Sequence, residues 1–373
     1  MIKKARTLAL TLLLTGCVTA ESWEATRLLE DIDAAGTPSA LKEETPEPQR
    51  TTERYAVGAR WNVADFYHPR QPIGGALVLV PGFTPEGKDD PRVVELARSL
   101  ARTRFLVMVP EVPGSRAQQV RLEDAETIAD ALRHLKASRP EAAGRATGAV
   151  AISYAVGLAA LAALEVAEEA PLDFLVGVGG YYDSAAVVTY ATTGRFRLPG
   201  SRRWESGRPL DSAKWIFLAT NAAVLEDDAD RRRLQALGER CFEGCAPDVA
   251  ALGHELGLEG RALLDLIANR DPARVPSLVA ALPEAVQQQM ARLSLSQHDL
   301  SALAGRLVLV HGRLDPLIPY SESMALARAV PGSALFLIDG FSHITPEGVG
   351  WGGQLQLVDA IQAVLARRAP AAR

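Results

Sequence analysis

Ser153 lies between Gly148-Ala149-Val150-Ala151-Ile152, an apolar run of strand character, and a run of small residues from Tyr154 that reads as a helix. A serine on a sharp strand-to-helix turn has its hydroxyl lifted clear of the sheet. The first free N–H groups of the helix then point at whatever that oxygen attacks. This is the setting of an activated nucleophile with half of an oxyanion hole built in. Such a serine needs a base, and the base needs a carboxylate to orient it. Two positions downstream can supply them. Asp315, in His311-Gly312-Arg313-Leu314-Asp315-Pro316-Leu317-Ile318-Pro319, comes just after an apolar run, at the edge of a sheet where ligands bind in parallel α/β architectures. His343, in Ile338-Asp339-Gly340-Phe341-Ser342-His343, follows the next such run. None of the other histidines, His68, His134, His254, His298 and His311, follows a strand in the way His343 does.

The elements that must position these residues are unbroken apolar runs separated by helical segments. The runs are 76–80, 105–109, 149–152, 174–178, 307–310 and 334–338. Being apolar at every position, they predict strands of a parallel sheet covered on both faces. Helices are predicted over 91–102, 122–136, 154–169, 320–329 and 353–367, the first with Asp90 as N-cap and Pro91 at its first position. Residues 55–68 alternate apolar and polar, in the manner of antiparallel strands opening a sheet. The alternation as a whole predicts an α/β fold with a doubly wound, mostly parallel sheet. Between Asp183 and Gly305 no strand is evident, and a segment of that length rich in helix formers is a helical insertion rather than a loop. Trp204, Trp215, Phe217 and Met290 in it are candidates for an apolar lining.

These motifs resemble the α/β-hydrolase family. Ala151-Ile152-Ser153-Tyr154-Ala155 stands where the family has G-x-S-x-G, with alanine at both glycine positions. The segment from His311 resembles the family's HGxxDxxxP signature after the seventh strand, and Gly340 to His343 resembles its G-x-x-H loop. The resemblance implies a Ser153–His343–Asp315 triad in the chain order of that fold. Asp183, after the sixth strand, is the reserve acid, with helix capping as its other role. Val80-Pro81-Gly82-Phe83-Thr84 looks like the family's HGxx turn with proline in place of histidine. It implies that the N–H of Phe83, or of Thr84, joins that of Tyr154 in the oxyanion hole. The neighbouring Lys88, Asp89 and Asp90 stand within reach of a substrate, though capping accounts for the acids. A helical cap after the sixth strand, here 183–304, would close over Ser153. The core would comprise 55–182 and 305–373. The implied activity is hydrolysis of an ester, thioester or amide bond in a small-molecule or lipid acyl substrate, with no cofactor or metal. A non-catalytic envelope binding protein on the same scaffold and an acyltransferase using the same triad are the alternatives.

At the N-terminus, Lys3, Lys4 and Arg6 precede an apolar segment from Leu8 to Leu14 and small residues before Cys17. Residues 1–16 read as an export signal. Leu14-Thr15-Gly16-Cys17 resembles the lipobox of bacterial lipoproteins, which implies a lipidated Cys17, a membrane as partner and a cell-envelope location. Val18 in place of aspartate favours the outer membrane. Residues 17–54, with their proline, threonine and charge, predict a lipid-anchored linker. Removing Cys17 leaves Cys241 and Cys245, which an oxidising compartment can leave either bridged or as two thiols. The net charge of −5 and the absence of a basic patch interleaved with aromatics exclude nucleic acid as a partner class. With 48% hydrophobic residues over 373 positions, the chain can bury a large core.

Overall fold

The structure is a computed structural model that describes residues 20–242, 244–245, 247–343 and 349–368. Cys17 and the segment expected to be an export signal lie outside the described residues. The expected apolar runs form the strands β3 (Gly75–Val80), β4 (Phe105–Pro110), β5 (Ala146–Ile152), β6 (Phe174–Val178), β7 (Leu307–Gly312) and β8 (Ala334–Ile338). β3, β4 and β7 are buried at every position, which is why they carry no polar alternation. They are preceded by a hairpin, β1 (Gln49–Val57) and β2 (Arg60–His68). The eight strands form one sheet in the order β1-β2-β4-β3-β5-β6-β7-β8. β1 and β2 pair antiparallel, β2 is antiparallel to β4, and every other neighbouring pair is parallel.

Helices cover both faces. On one, Glu123–Ala137 and Ala155–Glu165 pack through Ile128, Leu132, Leu158 and Ala162 onto Ala76, Val78 and Met108 of the sheet. On the other, Pro91–Arg102 and Trp351–Leu365 meet Leu77, Leu79 and Val107. Pro91–Arg102 begins as its sequence predicts, with Asp90 accepting the N–H of Arg92 at 2.8 Å.

The described part of residues 17–54 is folded, which corrects the linker expected there. Ala20–Ala34 is a helix lying against Trp351–Leu365, Ala40–Glu44 a shorter one, and β1 starts at Gln49 rather than Tyr55. Three small apolar contacts do this: Ala25, Leu28 and Leu41 are buried beside Val93, Ala97 and Val364. Buried polar bonds add to them. Asp31 accepts Ser99 Oγ at 2.6 Å and Lys42 Nζ at 2.7 Å, and Arg368 pairs with Glu24 at 2.6 Å. A leucine fully buried in this way contributes about 2 kcal/mol, enough to dock a helix whose composition is otherwise polar.

Between β6 and β7 the chain is helical, from Ser184–Thr193 through Asp211–Ala222, Asp228–Cys241 and Leu258–Ala268 to Glu284–Leu293. These helices share a core of their own around Val188, Trp215, Leu234, Leu263 and Val286. Among its described residues the insertion departs from the helical expectation in a short ribbon, Arg195–Phe196 paired with Glu205–Ser206, too brief to show a strand period in sequence. Cys241 and Cys245 are joined in a disulfide, with Cα atoms 4.8 Å apart. Among the described residues no helix is long and apolar enough to cross a membrane.

Candidate active site

Ser153 occupies the turn between β5 and the helix Ala155–Glu165 with φ +61°, a left-handed conformation that a non-glycine residue rarely adopts. Such strain costs on the order of 1–3 kcal/mol and persists where the surroundings impose it. Here the Ser153 N–H donates to the Val178 carbonyl at 2.7 Å, locking the turn to the end of β6. Ala151 and Ala155, at the family's glycine positions, are fully buried. The close approaches fall on other glycines. A Cβ on Gly180 would come within 2.5 Å of Val156, and one on Gly157 within 2.4 Å of the Tyr181 ring. The two alanines therefore fit because their neighbours give the room.

Ser153, His343 and Asp315 come together in one hydrogen-bonded chain. His343 Nε2 is 2.7 Å from Ser153 Oγ, and His343 Nδ1 is 2.6 Å from Asp315 Oδ2. Facing a carboxylate, Nδ1 carries the proton, so Nε2 is free to accept one from the serine. Asp315 is buried at the mouth of the turn after β7, and its Oδ1 accepts the N–H groups of Leu317 at 2.8 Å and Ile318 at 2.9 Å. Burial alone would raise its pKa. Hydrogen bonds from His311 and His343 outweigh that cost and hold the carboxyl below the usual carboxylate range. Sequence reasoning passed over His311 as a candidate and missed this contact. Fully buried, it donates from Nε2 to the Ile318 carbonyl at 3.0 Å and lies 3.3 Å from Asp315 Oδ2. The pattern that could have shown it is the spacing of four between His311 and Asp315 across a tight turn.

The backbone donors expected on the oxyanion side differ in occupancy. The Thr84 N–H donates to the Ser115 carbonyl at 3.1 Å, whereas among the described residues the N–H groups of Phe83 and Tyr154 have no acceptor. Their rings stack with centroids 4.0 Å apart, and both residues line the same cavity as Ser153. Gly82 packs directly beside the serine, and a Cβ there would meet that of Ser153 at 3.4 Å, an ordinary van der Waals contact. Lys88 does not reach this region freely; it is buried against Asp65 at 3.3 Å and Asp89 at 2.9 Å.

No protein-family model matches the chain, and no curated protein sequence matches it. Solved structures do. A Legionella pneumophila protein described as a hydrolase candidate is 13% identical, with a TM-score of 0.52 over 90% of this chain and 94% of its own. The esterase of the archaeon Pyrobaculum calidifontis is 13% identical, covering 93% of this chain and 87% of its own, at a TM-score of 0.47. The dienelactone hydrolase of Anabaena variabilis is 12% identical over 87% of this chain and 100% of its own, at 0.45. The strand order, together with the likeness to the Legionella pneumophila protein, decides the architecture. The fold is that of the α/β-hydrolases.

In this α/β-hydrolase fold the insertion roofs Ser153. A cavity of about 120 Å³ lies beside the serine, walled by Val187, Ile216, Phe217 and Met290 from the insertion and by Phe83 and Leu317 from the core. Phe217 and Met290 line it as expected. Trp215 instead belongs to the insertion's own core, and Trp204 lies under Arg197, whose guanidinium is 3.8 Å from its ring centroid. Asp183 is committed elsewhere: it caps Ser184–Thr193 through the N–H groups of Ala185 and Ala186, at 2.9 and 3.0 Å, and accepts Ser296 Oγ at 2.6 Å. Among the described residues no cluster of His, Cys, Asp and Glu could hold a metal ion.

Where the insertion departs from the core, Glu322 accepts the N–H groups of Tyr182 at 3.0 Å and Asp183 at 2.7 Å. Burial, with Asp183 adding to it, pushes the Glu322 carboxyl up to about 7 despite those bonds. The sign follows from linkage: an acid whose folded pKa lies above its ordinary 4.5 stabilises the fold relative to high pH only while protonated. That contribution is present below 4.5 and lost as pH rises through about 7. It amounts to on the order of 3 kcal/mol. Glu322→Gln keeps the acceptor oxygen and removes the titration. Denaturant midpoints taken from pH 5 to 8 are expected to fall more steeply for the natural protein than for the variant, in which Asp124, pushed up to about 6 by burial, still titrates; parallel curves would contradict the assignment.

Proposed function

We propose that this protein is a serine hydrolase that cleaves an ester, thioester or amide through an acyl-enzyme on Ser153. The observation that carries the reading is the unbroken chain from Ser153 Oγ through His343 to Asp315, at 2.7 and 2.6 Å. In the reaction, His343 Nε2 takes the Ser153 proton as Oγ bonds to the substrate's carbonyl carbon. The oxygen that becomes negative faces the N–H groups of Phe83 and Tyr154. The tetrahedral adduct expels the alcohol, thiol or amine, which takes the proton from His343. A water molecule, deprotonated by the same imidazole, then releases the acid and restores Ser153. Asp315 keeps Nδ1 protonated and bears the positive charge of the imidazolium. The apolar walls of the cavity favour a hydrocarbon group next to the reacting carbonyl. The test is turnover of short p-nitrophenyl esters: the natural protein is expected to hydrolyse them and Ser153→Ala to leave only the background rate. Equal rates in both would move the nucleophile elsewhere.

The location belongs to the same proposal. Cys17, acylated after removal of the export signal, anchors the protein at the cell envelope, with the outer membrane favoured by Val18. The folded helix starts at Ala20, so the anchor holds the domain at the lipid surface rather than on a long stalk. Cys17→Ala is expected to move the protein from the membrane fraction to the soluble one. Continued sedimentation with membranes would contradict the anchor.

A further inference from the structure

Ser115 holds the loop that carries Phe83 at two points. Its hydroxyl donates to the Gly82 carbonyl at 2.6 Å, and its carbonyl accepts the N–H of Thr84 at 3.1 Å. Phe83 is the residue between these two fixed points, with its own N–H left open and its ring stacked on Tyr154. Ser115 is itself immobilised. It is fully buried in the short helix Pro113–Ala117, and the adjoining Gly114 N–H donates to Asp124 Oδ1 at 3.2 Å. There is no slack at that joint, because a Cβ on Gly114 would come within 1.9 Å of Asp124 Oδ2 and 2.5 Å of the Gln119 carbonyl. On the far side Thr84 Oγ1 bonds to Asp90, the cap of Pro91–Arg102. The loop thus hangs between two helices that follow different strands, and Ser115 is the link on the side of β4.

Building on the proposed hydrolase reading, we infer that Ser115 is the positioning residue of the oxyanion hole, setting the Phe83 N–H against the oxygen that becomes negative at Ser153. A donor held in place before the reaction stabilises developing charge without reorganising, and losing one costs about 10²–10³ in turnover. Misplacing one costs less. Ser115→Ala deletes the bond to Gly82 while keeping the backbone bond to Thr84. Its kcat per labelled active site is expected to fall roughly 10- to 100-fold, with KM within about threefold and thermal stability nearly unchanged. Ser115→Thr retains the hydroxyl and is expected to recover most of the lost turnover.

The experiment counts active sites with a fluorophosphonate, measures kcat and KM on one p-nitrophenyl ester, and follows amide hydrogen exchange in the peptide spanning 80–86. Faster exchange of that peptide in Ser115→Ala, together with the kcat loss, supports the assignment. Unchanged exchange overturns the clamp. Faster exchange with an unchanged kcat per site overturns the positioning role. Exchange needs no turnover, so a natural protein that neither labels nor hydrolyses ester defeats the hydrolase reading and leaves the clamp itself separately decided.

Discussion

Asp315→Asn is expected to lower kcat by roughly 10⁴, the scale of leaving the base in the wrong tautomer, while KM changes little. The direction follows from the partners of the two carboxylate oxygens. Oδ1 accepts two backbone N–H groups, from Leu317 and Ile318, so an asparagine at 315 keeps its carbonyl oxygen there. Its amide NH₂ then faces His343 Nδ1, where Oδ2 now sits at 2.6 Å. A donor in that place forces Nδ1 to be the acceptor and puts the imidazole proton on Nε2, which can no longer take the proton of Ser153. Asp183→Asn makes the contrast. Its amide oxygen keeps the cap of Ser184–Thr193 and only the bond from Ser296 to Oδ2 is altered, so the variant is expected to raise KM modestly with little effect on stability or kcat. Steady-state kinetics on one reporter ester separates the two. Exchanged phenotypes would make Asp183 the acid.

The second large effect is expected at Gly312, the last residue of β7. A Cβ there would lie 2.1 Å from the Phe341 carbonyl oxygen and 2.5 Å from that of Ser342. Both are backbone atoms in the two residues leading into His343, so relief of the clash means moving the loop that carries His343. Gly312→Ala is therefore expected to destabilise the fold by about 3 kcal/mol, the upper end of overpacking costs. It should also reduce turnover through the displaced imidazole. Gly253→Ala is the matched control. That glycine sits in the helix Val249–Glu255 with open space around its Cβ position, and alanine there is expected to be neutral or to stabilise by about 0.5–1 kcal/mol. Thermal denaturation and ester kinetics on the pair provide the check, and equal behaviour of the two variants would contradict the tight packing between β7 and the His343 loop.

The sheet could be read from sequence because its central strands are buried on both faces, and unbroken runs such as 76–80 and 105–109 have no other economical explanation. Ser153, Asp315 and His343 could be read because each follows such a run. What could not be read depends on contacts between segments far apart. Of its described apolar residues the helix Ala20–Ala34 buries only Ala25 and Leu28 well, so its composition looks like that of a linker until Trp351–Leu365 is placed beside it. Phe83 and Thr84 could not be separated without knowing that Ser115 takes the N–H of Thr84. Ser115 itself is an ordinary residue in a Pro-Gly-Ser turn after β4, and nothing local ties it to Gly82. Likewise, Trp215 and Phe217 stand two apart on one helix, and only the packing shows that the first faces the insertion's core and the second faces the cavity.

The central claim is that Ser153 is a nucleophile activated by His343, and the most direct measurement is the intact mass of the protein after treatment with a fluorophosphonate, with peptide mapping of the adduct. One phosphonyl group per chain is expected, on Ser153, formed by attack of Oγ on phosphorus with loss of fluoride. No adduct is expected on Ser153→Ala, and only slow labelling where His343 is replaced by alanine. A folded natural protein that gains no mass, or a Ser153→Ala variant that labels as the natural protein does, would contradict the account.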